Sequence, residues 1–218
     1  MSRTIKCDPA NPDSGIIDSI VSVLDAGQVV VMPTETQYSL SIRADITTAL
    51  DQICGIKKRD RQLLPALFVK DIDMARQFCE INTTAEILAK SFLPGPLTLV
   101  VPMKSGQNVV PEKFASDLGF GLRISSSPVL KAVMNRVDYP VTATSANISG
   151  LMPDTNIREI SKLLGEQVAL YIDAGLLRCK IPSTVISAGD EISILRQGII
   201  AKSEIEKSLK EGNIDEPF

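Results

Sequence analysis

Runs of apolar residues punctuate this chain at intervals that suit alternating helices and strands. The helical spacing of Ile16, Ile17, Ile20, Val21, Val23 and Leu24 predicts a helix over Ser14–Ala26, capped by Asp13 or Ser14 and stopped by Gly27. Val29-Val30-Val31-Met32 is a continuous apolar run, suited to a strand covered on both faces. Ala49, Leu50, Ile53 and Cys54 mark a second helix over Thr47–Ile56. Leu67–Val69 reads as a short strand, Ile72–Phe78 and Thr84–Phe92 as helices. Pro94-Gly95-Pro96 is a hard break, after which Leu97–Val101 forms a strand.

A longer polar loop over 103–120 has weak helical character around Pro111–Ser116. Gly121–Ile124 reads as a strand carrying a lone arginine, and Ser125-Ser126-Ser127-Pro128 caps a helix running to about Arg136. A strand ends at Val141 and Thr142; a helix follows over Ile157–Leu164, then a strand at Leu170–Ile172. Ser183–Ile186 and Ile192–Leu195 look like an antiparallel pair around Gly189-Asp190. Gln197-Gly198 turns the chain, and Ser203–Glu211 is a terminal helix. Residues 1–12 read as an extended arm. The expected class is α/β, a single domain over 1–218 with an open, twisted, mixed sheet and helices packed on it, its core spanning about 13–200.

Polar clusters interrupt this pattern in three places. Thr144–Gly150, reading TSANISG, directly follows a strand, where open α/β sheets place ligands. Small hydroxyl and amide residues there serve either a binding loop or an ordinary Ser/Asn turn. Thr34, Glu35, Thr36 and Tyr38 gather just past the Val29–Met32 strand, as a binding loop or as a polar loop with a packed tyrosine. Lys57, Lys58, Arg59 and Arg61 form a basic run at a helix C-terminus, where the helix dipole alone favours cations.

Composition narrows the chemistry. The 218 residues contain no histidine, which removes the usual general base, the usual metal ligand and any Ser-His-Asp triad. The four cysteines, Cys7, Cys54, Cys79 and Cys179, show no paired metal spacing and read as reduced thiols. A net charge of −3 argues against tight, autonomous nucleic-acid binding and leaves only a weak, salt-sensitive contact with tRNA or double-stranded RNA. No apolar run is long enough for a bilayer, and MSRTIKCDPANPDS lacks the apolar core of a secretory signal, so a cytoplasmic location without membrane attachment is expected.

Seven segments together resemble the YrdC-like family of threonylcarbamoyl-adenylate synthases, in its short, single-domain form. They are MPTETQYSL (Met32–Leu40), KKR (Lys57–Arg59), FLPGPLTLVV (Phe92–Val101), GLR (Gly121–Arg123), TSANISG (Thr144–Gly150), STVI (Ser183–Ile186) and ILRQG (Ile194–Gly198). The resemblance implies a concave, basic cavity in which L-threonine, bicarbonate and ATP yield threonylcarbamoyl-adenylate and pyrophosphate. A partner, the tRNA-modifying threonylcarbamoyl transferase complex, then moves the acyl group to an adenosine beside the anticodon. Lys57, Arg59, Ser145 and Asn147 are the implied catalytic group; they bind ATP together with Thr98 and Arg196. Thr34, Thr36, Tyr38, Arg123, Thr144, Ser183 and Thr184 are expected to bind threonine and the carbamate, with Arg123 facing a carboxylate. Mg²⁺ would arrive with ATP, with no metal held by the protein itself. The assembly is expected to be a monomer or a dimer.

The chain departs from the family's pattern at Ser39, Ser41, Asp60, Ser125–Ser127 and Ser187. These positions touch the cavity wall more than the phosphate clamp. A non-catalytic RNA-binding module on the same fold, or a related domain handling carbamoyl-adenylate with a different acceptor, are the alternative readings.

Overall fold

In the computed structural model, which describes residues 2–60, 63–189 and 192–212, the described strands form one continuous ten-stranded sheet. The elements follow in order as β1 (Arg3–Lys6), α1 (Ser14–Asp25), β2 (Val30–Pro33), β3 (Tyr38–Ser41), α2 (Ala49–Lys57), β4 (Ala66–Phe68), α3 (Ile72–Ala75), α4 (Thr83–Phe92) and β5 (Leu97–Val101). After a single 3-10 turn at Glu112–Phe114 come β6 (Phe120–Arg123), α5 (Pro128–Met134), β7 (Val141–Ser145) and α6 (Ile157–Leu164). A second 3-10 turn, Gly165–Gln167, leads to β8 (Leu170–Asp173), β9 (Thr184–Ala188), β10 (Ile192–Arg196) and α7 (Lys202–Glu211). The spatial order is β1-β8-β2-β3-β7-β4-β6-β5-β9-β10, with parallel and antiparallel pairs mixed.

Local chemistry sets the boundaries. Asp13 caps α1 by accepting the Gly15 N–H at 2.8 Å, and Gly27 turns the chain away at φ +66°. Asn82 and Asn156 cap α4 and α6 in the same way. Along β5, Leu97, Leu99 and Val101 point into the helix-covered core while Thr98 and Val100 face an open cavity. Phe120 and Leu122 against Gly121 and Arg123 repeat that alternation on β6.

Several expectations change. The N-terminal arm is an edge strand, with Arg3–Lys6 parallel to Leu170–Asp173. Tyr38–Ser41 is a strand rather than part of a loop, antiparallel to both β2 and β7. The strand ending at Thr142 runs on to Ser145, because Thr144 and Ser145 pair with Leu40 and Ser39. The helix over Ile72–Phe78 stops at Ala75, since the chain must lift Cys79 into a bridge with Met103. Arg61 of the basic run and Asp190 of the hairpin turn lie outside the described residues. No helix among the described residues is long and apolar enough to cross a membrane.

Candidate functional site

The open face of the sheet encloses a cavity of about 630 Å³, walled by strands β3 to β7 and β9 to β10 and by the end of α2. Two backbone irregularities aim its cations. Lys58 adopts the left-handed conformation at φ 48°, ψ 47°, which a non-glycine residue enters at some cost. That kink turns Lys57 and Arg59 to the cavity and leaves Lys58 exposed. In β10 a register shift between Ile194 and Arg196 makes a bulge, so the successive residues Leu195 and Arg196 both line the cavity. The chain around this bulge is held close. A Cβ at Gly198 would stand 2.4 Å from Pro182 O, Ser183 C and Thr184 N.

At one end of the cavity sit Lys57, Arg59, Thr144, Ser145, Asn147, Ser149 and Gly150. Lys57, 2% exposed, donates from Nζ to Ser145 O, to Asn147 Oδ1 at 2.9 Å and to Asn147 O at 3.0 Å. Burial, and then the neighbouring Arg59, push its ammonium down to about 7, while the three oxygens around it favour the charged form. Asn147 Oδ1 also accepts from Ser145 Oγ, and its Nδ2 donates to Ile148 O and Leu151 O. Arg59 contrasts with both. Only Nη1 has a partner, Thr144 Oγ1 at 3.3 Å, while Nε and Nη2 are buried with none. Burial lowers this guanidinium from its usual range, with Cys54 acting in the other direction.

At the other end Arg196 donates to Ser183 O and to Ser183 Oγ, and Ser183 Oγ in turn meets Thr98 Oγ1 at 2.9 Å. Burial, and then Arg123, lower the Arg196 guanidinium from its usual range. Arg123 does face a carboxylate, but one supplied by the protein. Its Nη2 donates to Glu35 Oε1 and to Thr36 Oγ1, both at 2.7 Å. Glu35 is held from behind by the Ser125 hydroxyl. Thr34 Oγ1 accepts the Thr36 and Gln37 N–H groups and donates to Gln37 O, which fixes the four-residue β2–β3 turn. Thr34 thereby spends its one hydrogen, so Thr36 is the donor in the 2.9 Å contact between the two hydroxyls.

Of the residues expected from sequence, Thr34, Thr36, Tyr38, Lys57, Arg59, Thr98, Arg123, Thr144, Ser145, Asn147, Ser183 and Arg196 line this one cavity. Thr184 does not. Its Oγ1 faces the other way, donating to Ile200 O and accepting from Gly198 N and Ile200 N, so it braces the turn after β10. The Tyr38 hydroxyl is also committed, donating to Gly175 O and accepting from Ala174 N, and burial pushes it up to about 12. Sequence reasoning missed Glu35 and Ser125 as the holders of Arg123. It also missed Gly121, whose added Cβ would crowd Ala66 and Thr98 across the cavity floor. The i, i+2 rule from Arg123 was the signal for Gly121; Ser125 had none. Among the described residues no cluster of three His, Cys, Asp or Glu side chains could hold a metal ion, and no carboxylate lines the cavity.

A family model described as "Telomere recombination", covering Sua5, YciO and YrdC proteins, matches residues 22–198. A Bacillus subtilis protein named threonylcarbamoyl-AMP synthase is 30% identical over 201 residues, which is 91% of this chain and 58% of that protein. The structure of P. abyssi Sua5 complexed with L-threonine superposes with a TM-score of 0.88 at 29% identity, covering 96% of this chain and 62% of that one. The E. coli YciO crystal structure gives a TM-score of 0.85 at 25% identity, over 94% of this chain and all of that one. The chain thus spans about three fifths of the Bacillus and P. abyssi relatives and the full length of YciO.

Proposed function

Because the chain belongs to the Sua5/YciO/YrdC family, we propose that its cavity makes threonylcarbamoyl-adenylate from L-threonine, bicarbonate and ATP. The observation that carries this reading is Arg59, whose buried guanidinium nitrogens Nε and Nη2 have no hydrogen-bond partner in the cavity wall. A buried donor without an acceptor is costly, and an anion relieves it. Phosphate suits a guanidinium through two parallel charge-assisted bonds. Arg196, first expected at ATP, bonds Ser183 of the threonine group, so the second cationic pole, Arg123 with Arg196, suits the other anionic part of the reacting pair, the threonine carboxylate or the carbamate. Thr36 and Ser183 stand beside it as hydroxyl partners.

The chemistry needs positioning and charge more than a proton carrier. The threonine amine attacks bicarbonate, and water leaves to give the carbamate. A carbamate oxygen then attacks the α-phosphorus of ATP, and the bond to pyrophosphate breaks. Negative charge accumulates on phosphate oxygens through this step, which placed cations stabilise. Mg²⁺ arrives as the metal–nucleotide complex and spreads that charge further. The product is a mixed anhydride, reactive toward nucleophiles, so its consumer is an acyl transferase that uses tRNA as acceptor.

The test is an incubation of the purified chain with ATP, bicarbonate and single amino acids. Pyrophosphate and an acylated AMP should form with threonine and require bicarbonate. Equal release with alanine, or release without bicarbonate, would overturn the assignment, because a site built to hydrogen-bond a hydroxyl rejects analogues lacking it.

A further inference from the structure

Lys57 stands out among the cavity's cations because its donors are already used. An ammonium has three N–H groups and no acceptor. Three oxygens of the β7 end and its following loop take them: Ser145 O, Asn147 O and Asn147 Oδ1. The main chain closes the same unit, with the Ser149 N–H donating to Lys57 O at 2.8 Å. Asn147 is equally committed, its Oδ1 shared by Lys57 and Ser145 and its Nδ2 given to Ile148 O and Leu151 O. Neither side chain has a donor left for a ligand. Arg59, two residues on, has the N–H groups of both Nε and Nη2 unpartnered.

We infer that Lys57 and Asn147 are positioning residues that splint the end of α2 to the loop after β7, and that Arg59 makes the direct contact with the anion. The splint holds Arg59, Ser145 and Gly150 on one wall of the cavity although they come from segments nearly ninety residues apart. Among the described residues no other side-chain hydrogen bond ties Asn147 to α2. The charge on Lys57 still adds to the field in the cavity, but through space. This deepens the nucleotide reading above and rests on it only where ATP is used as the probe.

The first arm uses ligand-free protein and amide hydrogen exchange. Lys57→Met should speed exchange at Asn147 and Ser149 by roughly tenfold or more, as expected when a local hydrogen-bonded unit opens, whereas Arg59→Ala should leave both rates near wild type. Unchanged rates in Lys57→Met would overturn the splint. The second arm is a calorimetric double-mutant cycle with Mg-ATP. Each of Lys57→Met and Asn147→Ala should weaken binding by about tenfold. On the Asn147→Ala background Lys57→Met should cost only the through-space part of its charge, about threefold or less, since the splint is already gone. A full tenfold cost retained on that background would mean that Lys57 touches the phosphates and would overturn the inference.

A third measurement needs no variant, should Lys57→Met fail to fold. The ¹⁵N-labelled ammonium of Lys57 should give a slowly exchanging signal in the free protein, and it should show no coupling to ³¹P when ATP is added. Such coupling would refute the splint. Failure of wild-type protein to bind ATP would sink the nucleotide reading, while the exchange arm would still decide the role of Lys57.

Discussion

Glu35→Gln keeps the shape of the side chain and removes the charge that faces Arg123. The pair lies 2.7 Å apart, with side chains 10% and 16% exposed for Arg123 and Glu35. At an effective dielectric near 20 the gross attraction at that distance is about 6 kcal/mol, most of it offset by the cost of taking both ions out of water. The informative quantity is what removing one partner leaves behind. Breaking a fully buried pair costs about 3–5 kcal/mol, because the remaining charge is uncompensated. Both groups here keep some contact with solvent, so about 2–3 kcal/mol is the expected loss, on the same basis. For a chain of this size each kcal/mol moves the midpoint by about 2–4 °C, so thermal unfolding should drop by roughly 5–10 °C. The assay is a melting curve on ligand-free protein for Glu35→Gln, Arg123→Met and the double variant. With Arg123 already neutral, the Glu35 change should cost far less than it does alone. A midpoint within about 1 °C of wild type for Glu35→Gln, against the shift expected from its burial, would refute the reasoning. Strict additivity in the double variant would do the same. In activity assays Glu35→Gln should weaken threonine use more than ATP use.

Alkaline titration should show no phenol ionising near its ordinary pKa of 10.0 in the native protein, because burial raises all three tyrosines, Tyr38 and Tyr171 to about 12 and Tyr139 further upward with help from its bond to Asp25. Raised phenols favour the folded state below pH 10 and lose that contribution as pH climbs toward 12, so phenolate absorbance should appear together with unfolding; early, reversible ionisation would contradict the burial. Thiol labelling of the native protein should modify Cys179 quickly and Cys7, Cys54 and Cys79 slowly, with Cys79 slowest since burial pushes it up to about 12; equal rates at all four would be inconsistent with the packing. Gly198→Ala should cost about 2–3 kcal/mol and weaken ligand binding together, because the new methyl meets backbone on the neighbouring turn; a denaturation midpoint like wild type would show that the turn yields freely.

How much of this was legible in the sequence depended on whether the signal was local. The helix over Ile157–Leu164 and the strand over Leu97–Val101 appear with the expected bounds, because each carries its own period and its own stops. Tyr38–Ser41 did not announce itself, since Ser-Leu-Ser has little intrinsic preference for a strand and is held by partners on both sides. The same holds for Arg3–Lys6, which becomes a strand only because Leu170–Asp173 is there to pair with it. At the site, residue types pointed to the right wall but not to the division of labour. Lys57 and Arg59 look equivalent in sequence, and only the backbone turn at Lys58 and the position of Asn147 separate a saturated ammonium from an open guanidinium. Thr184 was misplaced for the converse reason. It adjoins Ser183, and a strand sends neighbours to opposite faces.

The cavity's walls come from β3, β7, β4, β6, β5, β9 and β10, drawn from much of the chain and joined mainly by pairings distant in sequence. No short stretch can assemble even half of the site. Closing such loops is entropically slow, so binding competence should be among the last properties to appear when the chain folds. A bound ligand would then act as a clasp on the entire sheet. At one hundred times its dissociation constant it would add about 2.7 kcal/mol to global stability. Protease resistance of the saturated protein should therefore rise at both sheet edges, β1 and β10, and not merely beside the cavity.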